Sequence, residues 1–193
     1  MATASPPKLM TTEEFLNLPD DGVRRWLING EVREWGGGKP MTVRNWLHSA
    51  VMMALGGCLK NWRDELPIPR GRVIGGEAGI RLSRSPDVTV GVDVGYISAE
   101  VMAHQSGKST LIEGVPLLAV EILSPSDTQD DIDTKITTYL SAGVRLVWII
   151  NPYQRTAMIY QPDALPQLVN ESGELDGREV LPGFRVRFGE LFE

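Results

Sequence analysis

One cysteine, two histidines and no long apolar run set the first limits on this 193-residue chain. A lone Cys58 leaves no internal disulfide framework and no cysteine-built zinc site, and it suits a reducing compartment. With only His48 and His104, a histidine cage is excluded as well. A metal here would be held mainly by oxygen, which points to a hard cation such as magnesium, manganese or calcium. No stretch approaches the roughly 20 apolar residues needed to span a bilayer. Residues 1–8 carry one lysine and two prolines and no apolar run follows them, unlike a signal peptide. From these absences we expect a cytoplasmic protein.

Positive charge is also scarce. The net charge is −6, and it is unevenly spread. Residues 1–85 carry twelve Lys/Arg against nine Asp/Glu, whereas residues 86–193 carry seven against sixteen. An acidic balance weakens non-specific attraction to phosphates but leaves room for a local basic surface. Internal repeats and low-complexity segments are absent. The apolar share of 42% is that of an ordinary globular chain. We expect a loose tail over residues 1–10 and a single domain over 11–193.

Thr11 and Glu14 have the spacing of a capping box, so a short helix opens there. Asn29-Gly30 between two β-rich runs predicts a two-residue hairpin. Val43, Leu47, Val51, Leu55 and Leu59 step by four, which predicts a long helix over 42–64. Val73-Ile74, then Ala78 to Leu82, then Val88 to Val90 give three short strand-like runs. Residues 91–114 lack periodicity and read as a loop with a helical turn. Residues 116–123 form an apolar run of the kind found in a strand buried on both faces. Ser126 and Gln129 suggest a second capping box, and Gly143 a helix C-terminus. Residues 144–150 read as another buried strand, with shorter strands around 156–160, 167–169 and 184–188. The order predicts an α+β (mixed α/β) fold with a sheet flanked by two longer helices.

Glu121 is the most informative residue. A carboxylate inside a buried strand is costly unless it is paired, hydrogen-bonded or bound to metal. A strand end reaching solvent, or an ion pair with arginine, is the competing explanation. Asp87 is a second acid at a strand start, although Pro-Asp is also common turn chemistry. Lys135 lies beside the buried stripe of the helix that follows Glu121, where a snorkelling lysine is the simpler alternative. Together, two acids can hold a divalent cation, and an adjacent ammonium can orient water or stabilise charge. That is a sensible set for phosphodiester hydrolysis. Gly107-Lys108-Ser109-Thr110 lacks the first glycine of a phosphate loop, since Met102 stands there. The five tryptophans are scattered, with Trp148 in the core. Arg70, Arg72, Arg81 and Arg84 could meet a phosphate backbone or form a solvated edge.

Pro86-Asp87-Val88, Val120 to Ser126, Lys135 with Tyr139, Gly143-Val144 and Trp148 to Pro152 resemble the Uma-type family of restriction endonucleases. Glu31 in its Leu-Ile-Asn-Gly-Glu segment, His48 and Leu181-Pro182-Gly183-Phe184 extend the likeness from about residue 11 to the end. The resemblance implies a restriction-endonuclease-like PD-(D/E)XK core, a central mixed sheet flanked by helices. It implies a magnesium- or manganese-dependent endonuclease acting on DNA. Asp87 would match the first metal-binding acid, Glu121 the second, and the Ile122 carbonyl a further metal ligand. Leu123 stands where the superfamily usually has lysine, and Lys135 from the next helix would take that place. Glu31 would be an accessory acid and Glu77 a weaker candidate, while His48 would be a substrate-side or structural residue, or simply a satisfied core or surface histidine. A further departure is Trp26, where the family often shows glutamate. Cutting both strands of a duplex needs two sites, so a homodimer is expected. The rival readings are a non-catalytic relative that binds or serves as a structural unit, and a metal-dependent hydrolase of another phosphoester.

Overall fold

A computed structural model describes residues 9–38, 40, 45–107 and 109–193. Most of the expected tail lies outside the described residues. Met10 does not trail loosely, because its N–H donates to the Gly30 carbonyl at 2.8 Å.

Helix α1 (Thr12–Leu16) starts at the expected reciprocal cap between Thr11 and Glu14. Strands β1 (Arg25–Ile28) and β2 (Glu31–Glu34) join through Asn29 and Gly30. Both turn residues have left-handed φ, 52° and 77°, as a primed turn requires. Helix α2 (Trp46–Glu65) is capped by the Asn45 side chain, which accepts the Leu47 N–H. Its expected beginning, with Val43, lies outside the described residues. Val51, Leu55 and Leu59 are fully buried along one stripe.

The three short runs expected next are two long strands, β3 (Arg72–Ser83) and β4 (Val88–Ile97). Residues 91–97, expected as loop, belong to β4. Gly91 and Gly95 break the apolar pattern, but both edges of the strand are paired and tertiary pairing overrides propensity. Helix α3 (Ala99–Ala103) and the short strand β5 (Ile112–Glu113) follow. The apolar run is strand β6 (Leu118–Ile122), all five residues buried. Helix α4 (Gln129–Ser141) begins two residues later than expected. Thr128 is its cap and Asp131 closes the box, while Ser126 is engaged by the Ser124 hydroxyl at 3.0 Å. Strands β7 (Leu146–Asn151), β8 (Thr156–Tyr160) and β9 (Gln167–Asn170) complete the sheet. A ribbon of β10 (Glu174–Asp176) and β11 (Arg185–Arg187) stands apart from it.

The mixed sheet runs β2-β1-β4-β6-β7-β8-β9, with β3 along β4 and β5 on β3. Two pairings, β6 with β7 and β3 with β5, are parallel. Val51, Leu55 and Leu59 of α2 pack on one face with Val94, Val120 and Trp148. Ile136 and Tyr139 of α4 pack on the other with Val90, Val92 and Val147. This is the expected α+β sheet between helices.

The second edge of β4 is shared. Its start pairs with β1 at Leu27↔Thr89, and its end pairs with β6 over Val94↔Val120 to Tyr96↔Leu118. Between these contacts the edge opens into a fork. At the same level β3 shifts register between Gly75 and Ala78. A bulge of this kind re-aims side chains. Val90 and Val92 join the α4-side core, whereas Val94 and Tyr96 join the α2-side core.

Candidate active site

The fork gathers two carboxylates. Asp93 is the β4 residue just before the first pairing with β6, and its Oδ2 accepts the Ile122 N–H at 2.8 Å. A side chain here takes a ladder position that backbone would otherwise fill. The same oxygen lies 3.2 Å from Nε2 of His48 on α2. Glu121, one residue before Ile122, turns to the α4 side. Lys135 Nζ donates to its Oε2 at 2.8 Å, and the Tyr139 hydroxyl donates to its Oε1 at 2.6 Å. The lysine and tyrosine are four apart, so one helical face presents both. Asp93, Glu121, His48 and Lys135 are each at most 5% exposed.

Burial sets the electrostatics. Desolvation, with repulsion from Asp93, pushes the Glu121 carboxyl up to about 7, and the Lys135 charge and the two hydrogen bonds pull against it. Burial also works to raise the Asp93 carboxyl, but His48, the Ile122 N–H and Lys135 together leave it below its ordinary value. Burial works to lower the Lys135 ammonium, and the neighbouring Glu121, Asp127 and Asp93 more than reverse that. Burial drives the Tyr139 hydroxyl well above its ordinary range, so it acts as a donor. Two acids with divergent affinities for protons therefore sit beside one cation, an arrangement typical of working sites.

The expected residues separate into two groups. Glu121, Lys135 and the Ile122 backbone are brought together, with His48 alongside. Asp87 is not with them. It precedes β4, six residues before Asp93, a distance of roughly 20 Å along a strand. Its Oδ2 accepts both the N–H and the hydroxyl of Thr12, each at 2.7 Å, so it fastens α1 to the sheet. The structure does not bring Asp87 to Glu121; the acid bonded beside Glu121, at the Ile122 N–H, is Asp93. Glu31 lies apart from Glu121 too. It is exposed at the hairpin end of β2, opposite Ile28, and its neighbour Gly30 donates to the Asp87 carbonyl. Glu77 lies nearer. It sits in the β3 bulge, 3.8 Å from Arg24, which also approaches Asp127 at 3.6 Å. Asp93 went unread because the glycines around Val92-Asp93-Val94 hid a strand. An acid between two valines was the available signal.

The donor set suits a hard cation. Asp93 binds the Ile122 amide at the fork, Glu121 is one residue before that amide, and in an extended strand the carbonyl of Ile122 projects from the same edge as its N–H. Few protein oxygens are what magnesium normally takes, since it keeps several waters. Both Glu121 oxygens are engaged by Lys135 and Tyr139, so a bound cation would share or displace one of them. Among the described residues no group of three or more His, Cys, Asp or Glu is placed to hold a metal ion.

A mixed sheet with helices on both faces is the architecture of a solved nuclease-type fold. A crystal structure of "a putative nuclease belonging to DUF820" from Anabaena variabilis superposes on it with a TM-score of 0.75. That match is 19% identical and covers 95% of this chain and 97% of that one. The chain belongs to the Uma2 family, described as "Putative restriction endonuclease", whose model matches residues 12–189. No curated protein matches the chain. No helix among the described residues is long and apolar enough to cross a membrane.

Proposed function

We propose that this protein is a divalent-metal-dependent endonuclease that hydrolyses DNA phosphodiester bonds. The observation that carries the reading is the β4/β6 fork, where Asp93 accepts the Ile122 N–H and the preceding residue, Glu121, is bonded to Lys135. Asp93, Glu121 and the Ile122 carbonyl would hold magnesium or manganese. The chemistry such a cation supplies when bound is acidification of a water and neutralisation of phosphate charge. The chain's own residues do the rest. The Ile122 amide and His48 fix the Asp93 carboxylate. Tyr139 orients Glu121 from the buried side. Lys135, held at Glu121, would stabilise the charge that builds on a scissile phosphate in the transition state. Cleavage of both strands calls for two such sites, which supports a homodimer.

One observation favours a second reading, a non-catalytic relative with the same fold. Both Glu121 oxygens already have protein donors, which satisfies the carboxylate without metal. Calorimetric titration of Mn²⁺ into the wild type, Asp93→Ala and Glu121→Ala, with and without a DNA duplex, separates the two. Binding lost in both variants, with cleavage lost in Lys135→Ala, supports the nuclease. Silence in the wild type with DNA present supports the non-catalytic reading. Light scattering at high concentration tests the dimer, and a clean monomer counts against it.

A further inference from the structure

Lys135 reaches Glu121 through an aromatic enclosure. Its Nζ lies 5.6 Å from the ring centroid of Trp26 and 5.4 Å from that of Trp35. The two indoles meet edge to face, with centroids 5.3 Å apart and planes at 80°. Trp26 also meets Tyr139 edge to face at 5.3 Å. The enclosure is built from separate parts of the chain: Trp26 from β1, Trp35 from just after β2, and Lys135 and Tyr139 from α4. Trp26 and Trp35 are 3% and 2% exposed, so neither is available to stack on a nucleic-acid base.

The physical need is plain. An ammonium has three donors and is costly to bury. Glu121 takes one hydrogen bond. The negative faces of aromatic rings attract a cation within about 6 Å, and most strongly where water is excluded. Aliphatic walls of the same size would exclude water without attracting the charge.

We propose that Trp26 and Trp35 are positioning residues that hold the Lys135 ammonium against Glu121 through cation–π contact. The proposal deepens the nuclease reading and rests on it only for the purpose of the held cation. The enclosure can be tested in the metal-free protein without DNA.

The full chain is made with progressively fluorinated tryptophan at position 26, which weakens the ring's negative face while nearly preserving its size. The ¹⁵N-lysine spectrum reports Lys135, assigned by its loss in Lys135→Met. The ammonium signal is expected to be protected from exchange with water, and the ε-methylene protons to be displaced upfield by the rings. Each added fluorine should speed the exchange of the ammonium. Trp26→Leu should weaken both signatures, leaving the share of Trp35, and Trp26→Phe should restore part of the loss. In single-turnover cleavage with Mn²⁺, Trp26→Leu is expected to slow the rate by about tenfold or more. A spectrum unchanged across the fluorinated series overturns the proposal, and that series decides the matter if Trp26→Leu does not fold. A graded response in a protein that cuts no DNA supports the enclosure and defeats the nuclease reading instead.

Discussion

Replacing Glu121 with glutamine tests the electrostatics of the fork directly. Burial raises the Glu121 carboxyl from 4.5 to about 7 in the folded protein. Between those values the unfolded chain has released its proton while the folded chain keeps it. Stability from this group is therefore fully present below 4.5 and is lost as pH rises through about 7. The loss is about 1.4 kcal/mol per pH unit and about 3 kcal/mol across the window. Lys135, held above its ordinary range, stays charged throughout and adds no slope. Asp93 titrates below its ordinary 3.8, outside the window. Glu121→Gln removes the titration and little else in volume. Urea unfolding of both proteins from pH 4.5 to 8 is the assay. Wild-type stability minus variant stability should fall by about 3 kcal/mol as pH rises to about 7, then level. A difference that stays flat would refute the reasoning, because it would mean that the carboxylate is ionised across the window and that Lys135 fully offsets its burial.

The same proton competes with metal, so Mn²⁺ affinity measured by calorimetry should rise by about tenfold per pH unit below about 7 and flatten above. Tyr139→Phe removes a buried donor 2.6 Å from Glu121 and should cost about 1–3 kcal/mol in urea unfolding, with the carboxyl shifted further up. A thermally neutral Tyr139→Phe would show that the hydroxyl does not hold the acid. Asp87→Ala removes the anchor of Thr12 and should destabilise by about 1–3 kcal/mol, with faster exchange of the Thr12 amide. Mn²⁺ stoichiometry should be unchanged in that variant, and its loss would return Asp87 to the site.

Much of the site was legible locally. Glu121 declares itself as the single carboxylate in an apolar run that forms a strand of five buried residues, a pattern that admits few explanations. Lys135 follows from the helix period, which places it fourteen residues on and beside the buried stripe. Asn29-Gly30 and the Thr11–Glu14 cap were readable because each works within four residues. The partner acid was not. Asp87 and Asp93 both open on valines, and composition alone favours the Pro-Asp pair. The enclosure around Lys135 was hidden for the same reason. Trp26 and Trp35 are far from it in sequence and show no shared period with α4.

The division has a physical cause. The amino-acid sequence by itself determined the apolar run with its one carboxylate, the cationic helix behind it and the turn chemistry, because these depend on neighbours along the chain. Which acid faces Glu121 depends on the register of β4 against β6, whose contact between Ile122 and Asp93 spans 29 residues. That register is set by the bulge in β3, by the two-sided burial of β4 and by the sharing of its edge with β1. Only the packed sheet brings those terms together, and with them it moves the second acid from the end of a strand to the mouth of the fork.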